Sequence, residues 1–205
     1  MGIYTDQFLP RVQNKVMDRE PLRPIRARVC AGLKGAIVEI GFGTGINVPY
    51  YPSAVERVVA IEPSHVCMRL AEPRIAESQV VVENGGLTGE RLECPSDEFD
   101  AVLSTWTMCT IPNLDAALAE VRRVLKPGGS LHFVEHGHAP DTKVARWQER
   151  IEPIWRPLAG GCHLTRRIGD DLERAGFSIE NLDNYYLPRE PKSMGYIFEG
   201  RATTQ

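Results

Sequence analysis

A short β-branched run, Ala36-Ile-Val-Glu-Ile40, drives straight into three glycines spaced two apart, Gly41, Gly43 and Gly45. Such a run reads as a buried strand, and the glycines as a tight turn where backbone must approach a ligand closely. The spacing then discriminates between ligands. A dinucleotide fingerprint, G-x-G-x-x-G, would put its third glycine at position 46, where this chain has Ile46. A P-loop is excluded because no Gly-Lys-Ser/Thr follows.

What remains is an acidic-x-G-x-G-x-G pattern headed by Glu39, followed by a second apolar run, Arg57-Val-Val-Ala-Ile-Glu62, that ends in a carboxylate. In a parallel sheet the carboxyl end of that strand lies beside the first loop, so Glu62 can accept both hydroxyls of a ribose. Nothing here is built to cradle a phosphate. A ligand with a ribose, no pyrophosphate, and an amino-acid ammonium that a carboxylate could neutralise suggests S-adenosylmethionine.

Together with Phe99-Asp-Ala-Val-Leu-Ser104 and Ala119-Glu-Val-Arg-Arg-Val-Leu-Lys-Pro-Gly-Gly-Ser-Leu-His-Phe-Val-Glu135, this set resembles the class I S-adenosylmethionine-dependent methyltransferases over residues 36–135. The resemblance implies an α/β, Rossmann-like fold: a doubly wound, seven-stranded, mostly parallel sheet in the order 3-2-1-4-5-7-6, its last strand antiparallel. It implies S-adenosyl-L-methionine as methyl donor and S-adenosyl-L-homocysteine as product. It also implies a cofactor set: Glu39, Gly41, Gly43, Gly45 and Asn47 around the first loop, Glu62 and Pro63 after the second strand, and Ser104 and Thr105 at the end of the fourth. The adenine contacts fall in Asn84–Pro95, where relatives usually carry an acidic residue and this chain has Thr88, flanked by Gly89 and Glu90.

A chain of 205 residues without a Pro/Gly/Ser linker, repeat or low-complexity tract is expected to form one domain. Its parts are an N-terminal helical cover (1–32), a cofactor-binding core (36–135), acceptor-side helices (140–176) and a C-terminal hairpin (177–203). A net charge of -3 offers no basic stripe, so nucleic acid is not an expected partner and a small-molecule acceptor is. The cysteines Cys30, Cys67, Cys94, Cys109 and Cys162 are odd in number and form no C-x-x-C pair, which fits reduced cytoplasm better than a disulfide framework. No apolar stretch approaches the ~20 residues of a membrane span, so no integral membrane segment is expected.

Residues 4–32 alternate apolar and charged positions at helical spacing, interrupted by Pro21 and Pro24, and predict two short helices. In the methyltransferase fold such a segment often closes over the cofactor, so Tyr4, Phe8 and Arg11 are candidates for its roof; packing on the sheet edge explains the pattern equally. A short helix is expected between Gly45 and Pro49-Tyr-Tyr-Pro52, the third strand at Gln79–Glu83, and a helix over Leu114–Leu125 that stops at Pro127-Gly-Gly129. The loop Ser104-Thr-Trp-Thr-Met-Cys-Thr-Ile-Pro112 leaves the carboxyl end of the fourth strand, where doubly wound sheets bind ligands. It brings Trp106 and Met108 to the acceptor pocket, or else to the core.

Past Glu135 the segments Val134-Glu-His-Gly, Trp147-Gln, Glu152-Pro-Ile-Trp155, Gly161-Cys-His-Leu-Thr-Arg166 and Leu172-Glu-Arg-Ala-Gly-Phe177 resemble the small methyltransferase-like enzymes whose studied members methylate thiols. The resemblance implies a small hydrophobic acceptor, a thiol first, with a quinol, phenol or phospholipid amine as alternatives. A non-catalytic cofactor-binding scaffold or sensor is the alternative of another class. The animal members carry an N-terminal hydrophobic anchor that this chain lacks, so their membrane location is not expected here.

In-line methyl transfer from a sulfonium requires alignment and exclusion of water rather than an acid. A thiol of pKa near ~8.5 would still gain from a neutral imidazole or a nearby cation. His136 and His163 are the candidate bases and Arg166 the candidate cation; each histidine reads equally as a hydrogen-bonded wall residue, and Arg166 reads more readily as one half of a structural ion pair. Trp106, Met108, Trp147, Trp155 and Cys162 are the candidate pocket lining, hydrophobic and sparse in charge. Cys162 is not expected as a nucleophile, since this transfer needs no covalent intermediate. No metal is expected: His136-Gly-His138 with Cys162-His163 could supply ligands, but no second carboxylate motif completes a magnesium site.

Overall fold

A computed structural model describes residues 8–204. Seven strands form one sheet in the order β3-β2-β1-β4-β5-β7-β6. They are β1 (Gly35–Ile40), β2 (Val55–Ile61), β3 (Val81–Asn84), β4 (Phe99–Thr105), β5 (Leu125–His136), β6 (Phe177–Tyr186) and β7 (Tyr196–Thr204). The first five pair in parallel, and β7 enters antiparallel between β5 and β6. The strand order and the reversed last strand are those the sequence predicts.

The central strand explains itself by its side chains. Along β1 successive residues point to opposite faces. Ile37 joins one buried layer with Val58, Ala60, Leu103 and the helix α2 (Arg23–Cys30). Val38 and Ile40 join the other with Val59, Val102, Leu131 and α4 (Leu114–Val124). A strand apolar on both faces can only sit inside a sheet covered on both sides. Those covers also include α3 (His65–Ala76) through Ala71 and α6 (Ile168–Arg174) through Ile168 and Leu172.

Register brings the ligand-facing ends together. Ile40 pairs with Ile61 on one side and Ser104 on the other, while Thr105 pairs with Val134. The residues that leave β1, β2, β4 and β5, namely Gly41, Glu62, Trp106 and Gly137, therefore emerge along one edge, where a doubly wound sheet binds ligands.

Some expected boundaries shift. The second strand runs Val55–Ile61 rather than Arg57–Glu62, so Glu62 stands just beyond it, and the third runs Val81–Asn84 rather than Gln79–Glu83. The expected helix after Gly45 is one 3-10 turn, Val48–Tyr50. Helix α4 ends at Val124, with Leu125 already extended, so Pro127-Gly-Gly129 does not stop it but lies within β5: the register jumps from Phe99↔Leu125 to Ala101↔Ser130, and these residues form the resulting bulge, with Gly128 at φ 76°. A proline and two glycines read as a stop because each disfavours regular pairing, yet a bulge accommodates them.

In the N-terminal segment α1 (Leu9–Met17) and α2 are the two expected helices. The first is tied to the glycine loop: Thr44 Oγ1 donates to Asn14 Oδ1 at 2.7 Å, and Arg74 binds the Thr44 carbonyl and Asp18. Among the described residues no helix is long and apolar enough to cross a membrane.

Candidate active site

The glycine loop follows β1 with all three glycines at positive φ, 71°, 59° and 70° for Gly41, Gly43 and Gly45. Each is glycine for a different reason. A Cβ on Gly41 would overlap the Thr107 side chain, and one on Gly45 would press Ala71 at 3.1 Å. A Cβ on Gly43 would meet nothing closer than 3.7 Å, so that position opens onto free space beside the loop.

Glu62 holds this loop to β2. Its carboxylate accepts from Gly43 N and from Ser64 N, both at 2.8 Å. Burial pushes its carboxyl above the usual range, opposed by those two N–H donors. Two hydrogen bonds leave lone pairs to spare on a carboxylate. Pro63 is exposed, and Ser64 caps α3 by accepting from Cys67 N.

Beneath the loop lies a polar network that long-range folding assembles. Glu39, 1% exposed, accepts from Asn47 Nδ2 at 2.7 Å and from the Tyr51 hydroxyl. Asn47 also bonds Thr105 Oγ1 and accepts from Arg26 at 2.6 Å. The Arg26 guanidinium in turn lies 4.8 Å over the Trp106 ring. Glu39, Asn47 and Thr105 are thus partnered by one another below the loop, so their side chains support it first. Arg26 and Tyr51 were not singled out in the sequence; the available hint is an arginine between Ile25 and Val29 on the apolar face of α2.

Burial pushes the Glu39 carboxyl up to about 7, against the hydrogen bonds from Tyr51 and Asn47 that favour its charge. A folded pKa above the ordinary 4.5 means the folded state holds the proton more tightly, so this contribution is full below pH 4.5 and is lost as pH rises through about 7. The shift corresponds to about 3 kcal/mol. Glu39→Gln is expected to remove it: the wild-type-minus-variant difference in unfolding free energy should fall by about that amount across the same window. A difference independent of pH in denaturant titrations would contradict the assignment.

The loop after β4 is organised by Glu135, fully buried at the end of β5. Its carboxylate accepts from Ser104 Oγ at 2.8 Å and from the backbone N–H groups of Thr107, Met108 and Cys109, each at 3.0 Å. Ser104, an expected cofactor contact, therefore turns into the protein instead. The sharp reversal puts Trp106 at φ 53°. Met108 is 2% exposed and packs in the core rather than lining an open pocket.

The expected adenine segment is half engaged. Thr88 is exposed and accepts from Glu90 N at 3.2 Å, Glu90 accepts from Asn113 N at 2.7 Å, and Gly89 packs against Ile40. Tyr4 lies outside the described residues, and Phe8 is 58% exposed.

On the acceptor side the expected groups separate. His163 is paired with Glu152, Nδ1 to Oε1 3.0 Å, and Arg166 spans the carbonyls of Met108 and Ile111. Both side chains are thereby committed to holding chain segments. Trp147 is 53% exposed because its neighbour Gln148 turns inward, bonding Ala139 N, Gly137 O and Ser193 O, and so anchors α5 (Thr142–Leu158). A surface cleft of 470 Å³ lined by Asn113, Asp115, Arg166, Asp170 and Arg174 includes neither the glycine loop nor the cysteines.

His136 instead meets Cys162 and Cys109. Cys162 Sγ lies 3.6 Å from both Cys109 Sγ and His136 Nδ1, and the three donor atoms all fall within 4.8 Å of one another. Trp155 and Leu164 pack on the two cysteines, and the Trp106 ring is 6.5 Å from His136. Hydrogen bonding from Cys109 and the neighbouring imidazole pull the Cys162 thiol down, while Cys109 is held up as the proton-bearing partner. Sequence reasoning named Cys162 and His136 but missed Cys109, which lies 53 residues from Cys162.

The family profile described as a methyltransferase domain matches residues 38–133. Thiol S-methyltransferase TMT1B of Homo sapiens is 32% identical over 204 residues, 95% of this chain and 82% of that protein. Phosphatidylethanolamine N-methyltransferase of Cereibacter sphaeroides is 29% identical over 104 residues, 50% of this chain and 51% of that one. Among solved structures, the possible histamine N-methyltransferase of Thermotoga maritima shares the fold with a TM-score of 0.72 at 22% identity, covering 99% of each chain.

Proposed function

We propose that this chain, which belongs to the class I S-adenosylmethionine-dependent methyltransferases and within them to the small thiol methyltransferase-like subfamily, transfers a methyl group to a small uncharged thiol. As a member of that family it is an enzyme that takes S-adenosyl-L-methionine as donor. The observation that carries the thiol reading is the candidate lining gathered beyond β4 and β5: Trp106, Trp155, Cys109, Cys162 and His136, soft aromatic and sulfur-bearing groups, buried or half-buried, with no carboxylate, lysine or arginine among them. Such a lining suits a nucleophile that sheds little water, and penalises a charged amine that must lose its hydration.

In this reading the cofactor's amino-acid portion lies on the glycine loop, its ribose hydroxyls on Glu62 and its adenine near Thr88, Gly89 and Glu90. The methyl then faces the Trp106 loop. The acceptor sulfur attacks in line, the bond from the methyl carbon to the sulfonium breaks, and its electron pair stays on S-adenosyl-L-homocysteine. Alignment and dryness supply the rate. His163 and Arg166 act as braces for the acceptor-side loops.

Incubating the purified chain with cofactor and a panel of alkyl and aryl thiols, quinols, phenols and amines, phosphatidylethanolamine included, tests the assignment by mass spectrometry. Methyl thioethers are expected, with rates rising with pH as the free thiol ionises near ~8.5. Faster methylation of a quinol or a lipid amine would replace the thiol reading with one of those acceptors.

A further inference from the structure

Cys109, Cys162 and His136 form a constellation that methyl transfer by alignment alone does not require. We propose that these three side chains bind a zinc-class divalent cation whose fourth position takes the acceptor thiol. The metal site stands on geometry; its role in activating the acceptor rests on the thiol reading above.

Tetrahedral zinc with thiolate at about 2.3 Å and imidazole at about 2.0–2.1 Å needs sulfur–sulfur edges of about 3.8 Å and sulfur–nitrogen edges of about 3.6 Å. The two edges from Cys162 Sγ, 3.6 Å to Cys109 Sγ and 3.6 Å to His136 Nδ1, match these lengths, and the third, Cys109 Sγ to His136 Nδ1, lies within 4.8 Å, so a bound ion would draw these two groups closer. A disulfide would instead need the sulfurs at about 2.05 Å. Two thiolates and one imidazole, with one position left open, is a donor set that catalytic zinc uses.

The donors are also held in advance. Cys109 N is bonded to Glu135, whose neighbour in sequence is His136. His163 N donates to Cys109 O at 2.8 Å, joining the segment of Cys162 to that of Cys109, and Gly160 and Gly161 at φ 65° and 95° turn the chain beneath the loop. The buried indole N–H of Trp155 lies beside the cysteines and faces Cys162. Trp106, whose ring carries Arg26 and approaches His136, separates the cluster from the network under the glycine loop. The site therefore lies on the acceptor side of the sheet edge.

The chemistry balances simply. An entering thiol gives its proton to solvent as sulfur binds the metal, since a coordinated thiol is deprotonated. That sulfur then forms the bond to the methyl carbon as the sulfonium bond breaks, and the neutral thioether leaves. A free thiol of pKa about 8.5 is roughly 3% thiolate at pH 7, so full ionisation offers at most about a 30-fold gain at fixed reactivity.

Reduced, chelator-treated full-length protein should bind one cobalt(II) with a thiolate-to-cobalt charge-transfer band and visible bands of tetrahedral intensity. Cys162→Ser and Cys109→Ser should each lose the band and weaken binding by more than the roughly 10–100-fold typical of an outer-shell change. Cys30→Ser, at a buried cysteine outside the cluster, should retain both. Adding an acceptor thiol should shift the visible bands, and zinc loading should raise thiol methylation at neutral pH up to about 30-fold. No charge-transfer band in reduced protein, or a band surviving in Cys162→Ser, overturns the metal site; air oxidation to a Cys109–Cys162 disulfide in a chain that binds no metal does the same. Equal thiol methylation with and without metal overturns the activation while leaving the thiol reading intact. Metal binding in a chain that methylates only other acceptors overturns both the thiol reading and the activation, and leaves the site.

Discussion

Gly43→Val is expected to give a folded protein that no longer binds S-adenosylmethionine detectably. The three loop glycines look equivalent in sequence, but only at Gly43 would a side chain point into open space, 3.7 Å from its nearest neighbour. Substitution at Gly41 would strike Thr107 and disturb the loop after β4, confounding binding with folding. At Gly43 the protein loses roughly 1–3 kcal/mol for placing a β-branched residue at φ 59°, a fraction of the 5–15 kcal/mol that keeps a domain folded. The isopropyl group then occupies the space assigned to the cofactor's amino-acid portion. Calorimetry with the cofactor and thermal unfolding of the same sample check it; near-normal affinity in a folded variant would move the cofactor off this loop.

The contrast between Gly41 and Gly43 shows what was legible in the chain and what was not. Strands β1 and β2 announce themselves as β-branched runs, and β4 and β5 as short apolar stretches, because a buried parallel strand needs apolar groups on both faces. Their order is the one the family resemblance implies, and with it comes the edge where Gly41, Glu62, Trp106 and Gly137 emerge. Local pattern fails where partners are distant. Arg26 meets Thr105 across 79 residues and Cys162 meets His136 across 26, and no spacing rule links such positions. The same holds for His163 and Arg166, whose residue types suggested chemistry but whose hydrogen bonds go to Glu152 and to loop carbonyls. A titratable side chain advertises a capacity, while its neighbours decide the use.

Glu135 is the strongest instance, and Glu135→Ala is expected to cost about 4 kcal/mol of stability. In sequence it is only the acidic residue at the end of an apolar run. In the fold it is the acceptor for Ser104 Oγ and three consecutive N–H groups of the loop carrying Trp106, Met108 and Cys109. Truncation leaves those donors unpaired where water is scarce, at roughly 1–3 kcal/mol each. The relief of no longer burying a carboxylate, whose carboxyl burial already pushes above the usual range, offsets part of the sum. Glu135→Gln should fall between the two, because its amide oxygen still accepts but its NH2 group faces backbone donors. Denaturant midpoints at constant slope measure both variants. At concentrations where each remains folded, methyl transfer should fall further than cofactor affinity, since the glycine loop and Glu62 are untouched while the acceptor-side loop is freed. An alanine variant within about 1 kcal/mol of wild type would mean that water replaces the carboxylate, and that the loop's sharp turn at Trp106 is held by packing instead.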